Sequence, residues 1–353
     1  MTALLEARQV VKHYPVGHRL FGQPDVVHAL DGVDLVVRTG ELVALVGESG
    51  SGKTTLARCV LGLTRPSAGT ILLDDSEVSW SDKNALRAFR RRVQPVFQDP
   101  FASLDPRWSI AQTIREPLDA YDIGSPKERD VRVSELLDRV GLSARFSSRR
   151  PHELSGGQRQ RVGIAAALAL DPDLIVADEP VSALDVSVQA QILNLLSDLN
   201  ESLGVAILLI THDLAIVEHI CDRAVVLYLG RVAEEGPVDQ LFGDPEHPYT
   251  RALMAAIPYP DPDRRLRTAS VTGEIPSPIH PPPGCRFHTR CPVAIERCHL
   301  DEPALESYGP GHLAACHVSL IQRNEPSTTG ANRSVEVPLP EASVTPSPTS
   351  RPQ

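Results

Sequence analysis

An α/β fold with a mostly parallel central sheet is what the sequence predicts, and three observations carry the prediction. Residues 42–46, 174–177 and 205–210 are short runs of Leu, Val, Ile and Ala without polar alternation. Strands covered on both faces have that pattern. Leu56, Cys59, Val60 and Leu63 follow the first run at i, i+3, i+4 and i+7, which is one stripe of a helix. Between that strand and that helix stands a glycine-rich loop, Gly47-Glu48-Ser49-Gly50-Ser51-Gly52-Lys53-Thr54.

Taken in chain order, the first element differs from the rest. Asp31-Gly32 precedes an alternation of Val33, Leu35 and Val37, which predicts a turn into a half-exposed antiparallel strand. The glycine loop then fits G-x-x-x-x-G-K-[ST] in the strand-to-helix setting that this pattern requires. Its glycines let successive backbone N–H groups curl inward as an anion nest at a helix N-terminus. An ordinary Gly/Ser turn is the bland alternative, and the flanking strand and helix argue against it. Gly47, Glu48, Ser49, Gly50, Ser51, Gly52, Lys53, Thr54 and Thr55 are thus the candidate cradle for a nucleoside triphosphate. Lys53 would reach the β- and γ-phosphates, and the Thr54 hydroxyl would ligate Mg²⁺.

Asp178-Glu179 closes the second apolar run. Taken alone, two acidic residues at a strand end read as a solvated loop. Beside a phosphate cradle in the same sheet, Asp178 is placed to hold Mg²⁺ and Glu179 to act as general base on a water.

Leu154-Ser155-Gly156-Gly157-Gln158-Arg159-Gln160-Arg161 opens a helix expected over residues 162–170. With this segment the chain, over about residues 5–240, resembles an ATP-binding cassette (ABC) ATPase. The resemblance implies a P-loop parallel-sheet core with an antiparallel β subdomain and a helical subdomain. It implies that Ser155, Gly156, Gly157 and Gln158 present a second helix N-terminus to the γ-phosphate held by a partner subunit, so that two subunits bury two ATP molecules head to tail. It also assigns Tyr14 to adenine stacking, Gln98 to Mg²⁺ and the attacking water, and Asp185 of Ser182-Ala183-Leu184-Asp185 to the loop crossing the dimer interface. His212, in Thr211-His212-Asp213, becomes the histidine that contacts the γ-phosphate. Alone, Tyr14 would read as a packing residue and His212 as a surface or core histidine. Catalysis would then rest on Glu179, His212 and Lys53, with Mg²⁺ held by Thr54, Gln98 and Asp178.

Two further segments resemble the peptide-importer branch. They are Asp99-Pro100-Phe101-Ala102-Ser103-Leu104-Asp105-Pro106-Arg107 and Asp244-Pro245-Glu246-His247-Pro248-Tyr249-Thr250-Arg251. This branch implies two transmembrane permease subunits, a second ABC ATPase subunit (homologous or identical) and an extracytoplasmic substrate-binding protein. The subunit would lie on the cytoplasmic face of the inner membrane. Cys285, Cys291, Cys298 and Cys316 crowd into a small Pro/Cys-rich C-terminal extension, spaced C-x5-C-x6-C-x17-C. That spacing lacks the C-x2-C pair of structural zinc sites. Some members of the branch bind a [4Fe–4S] cluster through such cysteines; zinc, with His288, His299, His312 and His317 nearby, or free thiols are the alternatives. Cys59 and Cys221 read as packing residues.

Composition sets the outer bounds. Over 353 residues, 42% hydrophobic and 23% charged content fits a globular chain, and a net charge of −10 argues against a nucleic-acid partner. Met1-Thr2-Ala3-Leu4-Leu5-Glu6 shows no basic n-region, and no apolar run reaches bilayer length. The expected division is an ATP-binding domain at 1–240, the extension at 241–320 and a Pro/Ser/Thr-rich disordered tail at 321–353. The expected function is ATP hydrolysis energising uptake of di- or oligopeptides. A non-transport ABC ATPase acting on nucleic acid or the ribosome is the alternative that charge and the single cassette disfavour.

Overall fold

The computed structural model describes residues 2–16, 25–99, 101–257 and 273–324. It opens with two long antiparallel strands, β1 (Ala3–Val16) and β2 (Asp25–Arg38). The wholly buried β3 (Leu42–Val46) leads into α1 (Lys53–Val60). The chain then returns through β4 (Ala68–Leu73) and the short β5 (Ser76–Glu77), completing an antiparallel sheet ordered β2-β1-β4-β5. Next, α2 (Lys83–Arg92) delivers β6 (Val93–Val96) to the core. A helical layer follows, made of α3 (Ile110–Ala120), α4 (Pro126–Arg139) and α5 (Gly156–Ala167).

The remaining elements close the main sheet. They are β7 (Leu174–Asp178), α6 (Val186–Leu203), β8 (Ala206–Thr211), α7 (Leu214–Ile220) and β9 (Arg223–Tyr228). β9-β3-β8-β7-β6 run parallel, as the unbroken apolar runs predict. A tight turn through Leu229 and Gly230, both at positive φ, sends β10 (Arg231–Pro237) back antiparallel to β9. After α8 (Val238–Gly243), α9 (Pro248–Ala255) and α10 (Glu296–Leu300), β11 (Glu306–Gly309) and β12 (His312–Ala314) extend the same sheet beyond β10. The last helix, α11 (His317–Asn324), runs past the expected start of the tail. Most of the tail and of the proline-rich stretch after residue 257 lies outside the described residues, as does Pro100.

Two local expectations are corrected. No turn forms at Asp31-Gly32: β2 continues through it, and Gly32 at φ +80° sits in a bulge that shifts the register from Val10–Val33 to Val11–Asp31. The signature helix starts at Gly156 rather than 162, because Ser155 and Gln158 build a capping box, and it ends at Ala167 before a 3-10 turn.

The core has three parts. Ile110, Leu136, Ile175 and Leu196 join the helical layer to one face of the sheet. Leu5, Val33, Leu45, Leu56 and Ile71 fill the space under the antiparallel sheet. Tyr228, Leu241, Tyr249 and Phe287 pack the C-terminal segment onto β9 and β10. That third contact is anchored by a charge. Glu234 on β10 is fully buried and accepts from the amides of Glu246 (2.7 Å) and His247 (2.9 Å), with His312 Nε2 at 2.7 Å. Burial alone would raise its pKa, but the hydrogen bonds from His312 and the two amides, with the Thr250 hydroxyl nearby, bring it below the ordinary glutamate value.

A folded-state pKa below the unfolded one stabilises the fold above the unfolded pKa, and that contribution fades as pH falls through the folded value. Glu234→Ala should therefore cost about 3–5 kcal/mol at neutral pH in urea unfolding, the penalty for emptying one side of a buried charged network. The difference from wild type should shrink as the pH is lowered below about 4.5.

Candidate functional site

The glycine loop is shaped by its surroundings. Gly47 has φ +153° and Gly52 φ +108°. A Cβ on Gly47 would lie 2.2 Å from the Leu227 carbonyl oxygen, and one on Gly52 would lie 2.5 Å from that of Ala29. Only glycine lets the chain pass here. Gly52 N-caps α1 with no side-chain bond, so the first-turn amides are left for an outside acceptor. Lys53 is buried, its Nζ donating to the carbonyls of Gly47 (2.6 Å) and Glu48 (2.9 Å). Burial lowers its pKa, against the opposing pull of Glu179, Asp178 and Glu48. Ser51 Oγ is buried with no hydrogen-bond partner among the described residues, an orphan of the kind a bound phosphate would satisfy.

The strand ends beside the loop bring the acidic groups. Asp178 ends β7 half-buried, with the Thr54 hydroxyl among the groups that lower its pKa. Burial, then the neighbouring Glu179, raises its pKa, and Lys53 opposes both. Thr54 and Asp178 together form an oxygen pair fit for Mg²⁺. Glu179 adopts a left-handed backbone at φ +45°, at a cost on the order of 1 kcal/mol for a non-glycine residue. Its N–H is tied to the Ile210 carbonyl at 2.9 Å. Its carboxylate lies between two partners: Gln98 Nε2 donates to Oε2 at 3.0 Å, and His212 Nδ1 is 3.2 Å from Oε1.

Most of these residues line one cleft of about 900 Å³, which Tyr14, Val27 and Ala29 close on the side of the antiparallel sheet, while Gly47, Ser51 and Asp178 lie outside its wall. Glu48, Ser49, Gly50, Gly52, Lys53, Thr54, Thr55, Gln98, Glu179 and His212 complete its wall. The chain also brings residues that the sequence reading missed. Ile275 and Pro278 line the cleft, and the His28 N–H donates to the Pro278 carbonyl at 2.9 Å. Tyr249 accepts from the Glu48 N–H at 2.8 Å, and Arg290 grips the Glu48 carboxylate at 2.6 and 3.1 Å. Tyr249 and Arg290 stand more than 200 residues from Glu48, so no local sequence pattern could have pointed to them.

Ser155, Gly156, Gly157 and Gln158 are not among the residues lining this cleft. Ser155 is exposed and caps α5, accepting from the Gln158 N–H at 3.3 Å, while Gln158 Oε1 takes the Ser155 N–H at 3.0 Å. Gly157 is needed for packing: a Cβ there would stand 2.4 Å from Val188 Cγ1. Asp185, exposed, precedes α6 without a side-chain cap bond, and Val186 beside it is 82% exposed. The start of α5 and the cleft therefore do not share a wall within one subunit.

The four C-terminal cysteines are free thiols, with Cys298 and Cys316 buried and Cys285 and Cys291 half-buried. Burial pushes the Cys285 thiol up to about 12 and the Cys291 thiol up to about 11; backbone bonds from Phe287 and Val293 oppose the rise, and the other thiols add to it. Thiolates on one zinc ion would stand about 3.8 Å apart, given Zn–S bonds of about 2.3 Å. Among the described residues, the group of three ligand atoms within 4.8 Å of one another is His13, His28 and Asp31, not the cysteines. Asp31 is moreover ion-paired with Arg286. His312 is engaged by Glu234, His317 by the Asp301 carbonyl and His288 by the Cys285 carbonyl. The donor set is thus four thiols at a spacing wider than one zinc ion draws them.

Comparison with known proteins agrees with this geometry. Residues 30–182 match the family described as ABC transporter, and residues 233–298 match that described as oligopeptide/dipeptide transporter, C-terminal region. A probable peptide ABC transporter ATP-binding protein of Sinorhizobium fredii is 51% identical over 317 residues, covering 90% of this chain and 90% of that protein. A dipeptide transport ATP-binding protein of Haemophilus influenzae is 47% identical over 315 residues, covering 89% of this chain and 96% of that protein. A solved ATP-binding cassette, a dimer in a post-hydrolysis state bound to ADP and Pi, superimposes with a TM-score of 0.60 at 34% identity, covering 67% of this chain and 99% of that one.

Gly47→Ala should destabilise the protein by about 2–4 kcal/mol in urea unfolding, since its Cβ meets backbone that cannot step aside. The residual fold should also lose nucleotide affinity.

Proposed function

Since this chain belongs to the ATP-binding subunits of ABC transporters and carries the C-terminal region of the oligopeptide/dipeptide type, we propose that it hydrolyses ATP to drive peptide import through membrane permeases. The observation that carries this reading is the meeting of Lys53, Thr54, Gln98, Glu179 and His212 on one cleft. In our reading, ATP lies with its adenine against Tyr14 and its phosphates on the loop and first-turn amides that Tyr249 and the Glu48 carbonyl leave open. Lys53 leaves the carbonyls of Gly47 and Glu48 to meet the β- and γ-phosphates. Thr54, Asp178 and Gln98 hold Mg²⁺, which screens the phosphate charge. Glu179 takes a proton from the attacking water, while Gln98 and His212, already bonded to its carboxylate, fix its orientation. Barrier reduction in such transfer comes mainly from positioning and electrostatics, and each of these groups supplies one or the other.

The other half of each site comes from a second ATPase subunit, homologous or identical. Its Ser155, Gly156, Gly157 and Gln158 would cap the γ-phosphate, and Asp185 would cross the seam. The exposure of Ser155, Asp185 and Val186 supports this. No described helix is long and apolar enough to cross a membrane, and two permease subunits would form the path. A groove of about 310 Å³ lined by Val96, Phe97, Leu104, Trp108 and Gln160 adjoins Gln98 and suits a permease segment. Phe97, in that lining, is half exposed. An extracytoplasmic binding protein would deliver the peptide, and this subunit would sit on the cytoplasmic face of the inner membrane. Residues 1–240 form the ATP-binding part and 241–320 the extension, whose Cys285, Cys291, Cys298 and Cys316 would ligate a [4Fe–4S] cluster.

Glu179→Gln should retain ATP binding and lower turnover by about 10²–10⁴-fold in a phosphate-release assay, the range for losing a general base. A variant hydrolysing at the native rate removes Glu179 from that role. Protein purified without oxygen should contain iron and sulfide with an absorbance band near ~400 nm. Zinc, or no metal at all, would overturn the cluster assignment.

A further inference from the structure

The turn between the first two cysteines of the extension carries three side chains that cross to the nucleotide side of the molecule. It is tight, with the His288 N–H on the Cys285 carbonyl (3.0 Å) and the Cys291 N–H on the His288 carbonyl (3.3 Å). Arg286, next to Cys285, donates to the Leu229 carbonyl and pairs with Asp31. Phe287 is fully buried against Tyr228 and Tyr249, with ring centroids 5.2 and 5.4 Å away. Arg290, next to Cys291, is buried and forks onto the Glu48 carboxylate. Bidentate arginine–carboxylate pairs fix orientation as well as distance.

Glu48 is where these contacts converge. Its N–H is held by Tyr249, its carboxylate by Arg290, and its carbonyl by Lys53. Tyr249 is itself locked: it is fully buried, its N–H donates to His247 Nδ1 at 3.0 Å, and Pro248 fixes the start of α9. The first half of the phosphate loop is therefore pinned from behind by the extension, and the Ser51 N–H turns back onto the Glu48 carbonyl at 3.2 Å, while the first-turn amides of α1 are left for the ligand. A pinned loop loses less freedom on binding phosphate than a loose one.

We infer that Tyr249 and Arg290 are positioning residues for the phosphate loop, and that through Arg290 the cysteine pocket sets ATP affinity. The inference rests on the reading of the cleft as an ATP site. It assigns the extension a role in the nucleotide site rather than in the choice of cargo.

The test is direct binding of a fluorescent N-methylanthraniloyl ATP to the full-length protein, alongside kcat and KM. Binding by the wild-type protein tests the site itself, and its absence would remove the premise rather than this step. Given wild-type binding, Arg290→Gln and Tyr249→Phe should each weaken affinity by about 5- to 20-fold, the usual size of coupling between sites. KM should rise with it while kcat stays within about threefold, and Arg290→Lys should recover part of the loss. Cys291→Ser should weaken binding in the wild-type background but add nothing to Arg290→Gln. Unchanged affinity in Arg290→Gln and Tyr249→Phe, or equal effects of Cys291→Ser in both backgrounds, would overturn the inference. A fall in kcat and melting temperature with affinity intact would do so as well, since that is a purely structural role.

Discussion

A sheet covered on both faces can present polar groups only where its strands end, and this constraint organises the molecule. β3, β7 and β8 are parallel neighbours, so their C-terminal ends fall on one edge. The glycine loop, the Asp178-Glu179 pair and the Thr211-His212 step leave from those ends. Side chains separated by more than 150 residues meet without any long-range contact designed for the purpose. The strands supply apolar burial, and the site takes what is left over at their ends.

At that edge the backbone is held in conformations that ordinary packing would avoid. Gly47 and Gly52 pass so close to carbonyls of β9 and β2 that a methyl group does not fit. Glu179 accepts a left-handed conformation, and the bond from its N–H to the Ile210 carbonyl keeps it there. Such strain persists only where the surroundings over-determine it. Here it turns a carboxylate away from the strand direction and toward Gln98 and His212. Ser155, at the start of α5, is not among the residues lining the cleft of its own chain. In the proposed head-to-tail pair, the Ser155 end of one subunit would complete the cleft of the other.

Much of this was legible in the sequence because the relevant signals are local. The apolar runs fix β3, β7 and β8, and the glycine spacing fixes the loop. Ser155 and Gln158 signal a helix start through their capping box, although the expected start at residue 162 overlooked it. Asp31-Gly32 misled for a related reason: the pair has turn chemistry, but the pairing of β2 with β1 over 14 residues outweighs it and absorbs Gly32 as a bulge. What the sequence could not show is where the extension goes. In the structure His247 caps α9 and Pro248 opens it, and the partner of the Tyr249 hydroxyl lies 201 residues away.

The extension can act on the loop because it is not tethered by a linker alone. β12 pairs with β10, which covers what would otherwise be an open edge of the main sheet. Glu234 lies in that pairing and collects donors from residues 246, 247 and 312, so the start of α9 and the β12 strand are fixed to the same carboxylate. Removing any one donor leaves a buried charge short of a bond, which makes the joint stiff. Tyr249 follows directly from that joint, and Phe287 packs on Tyr249, so the turn from Cys285 to Cys291 inherits its position. A stiff joint on one side and a forked ion pair on the other leave little room for the thiol pocket to change shape without moving Glu48.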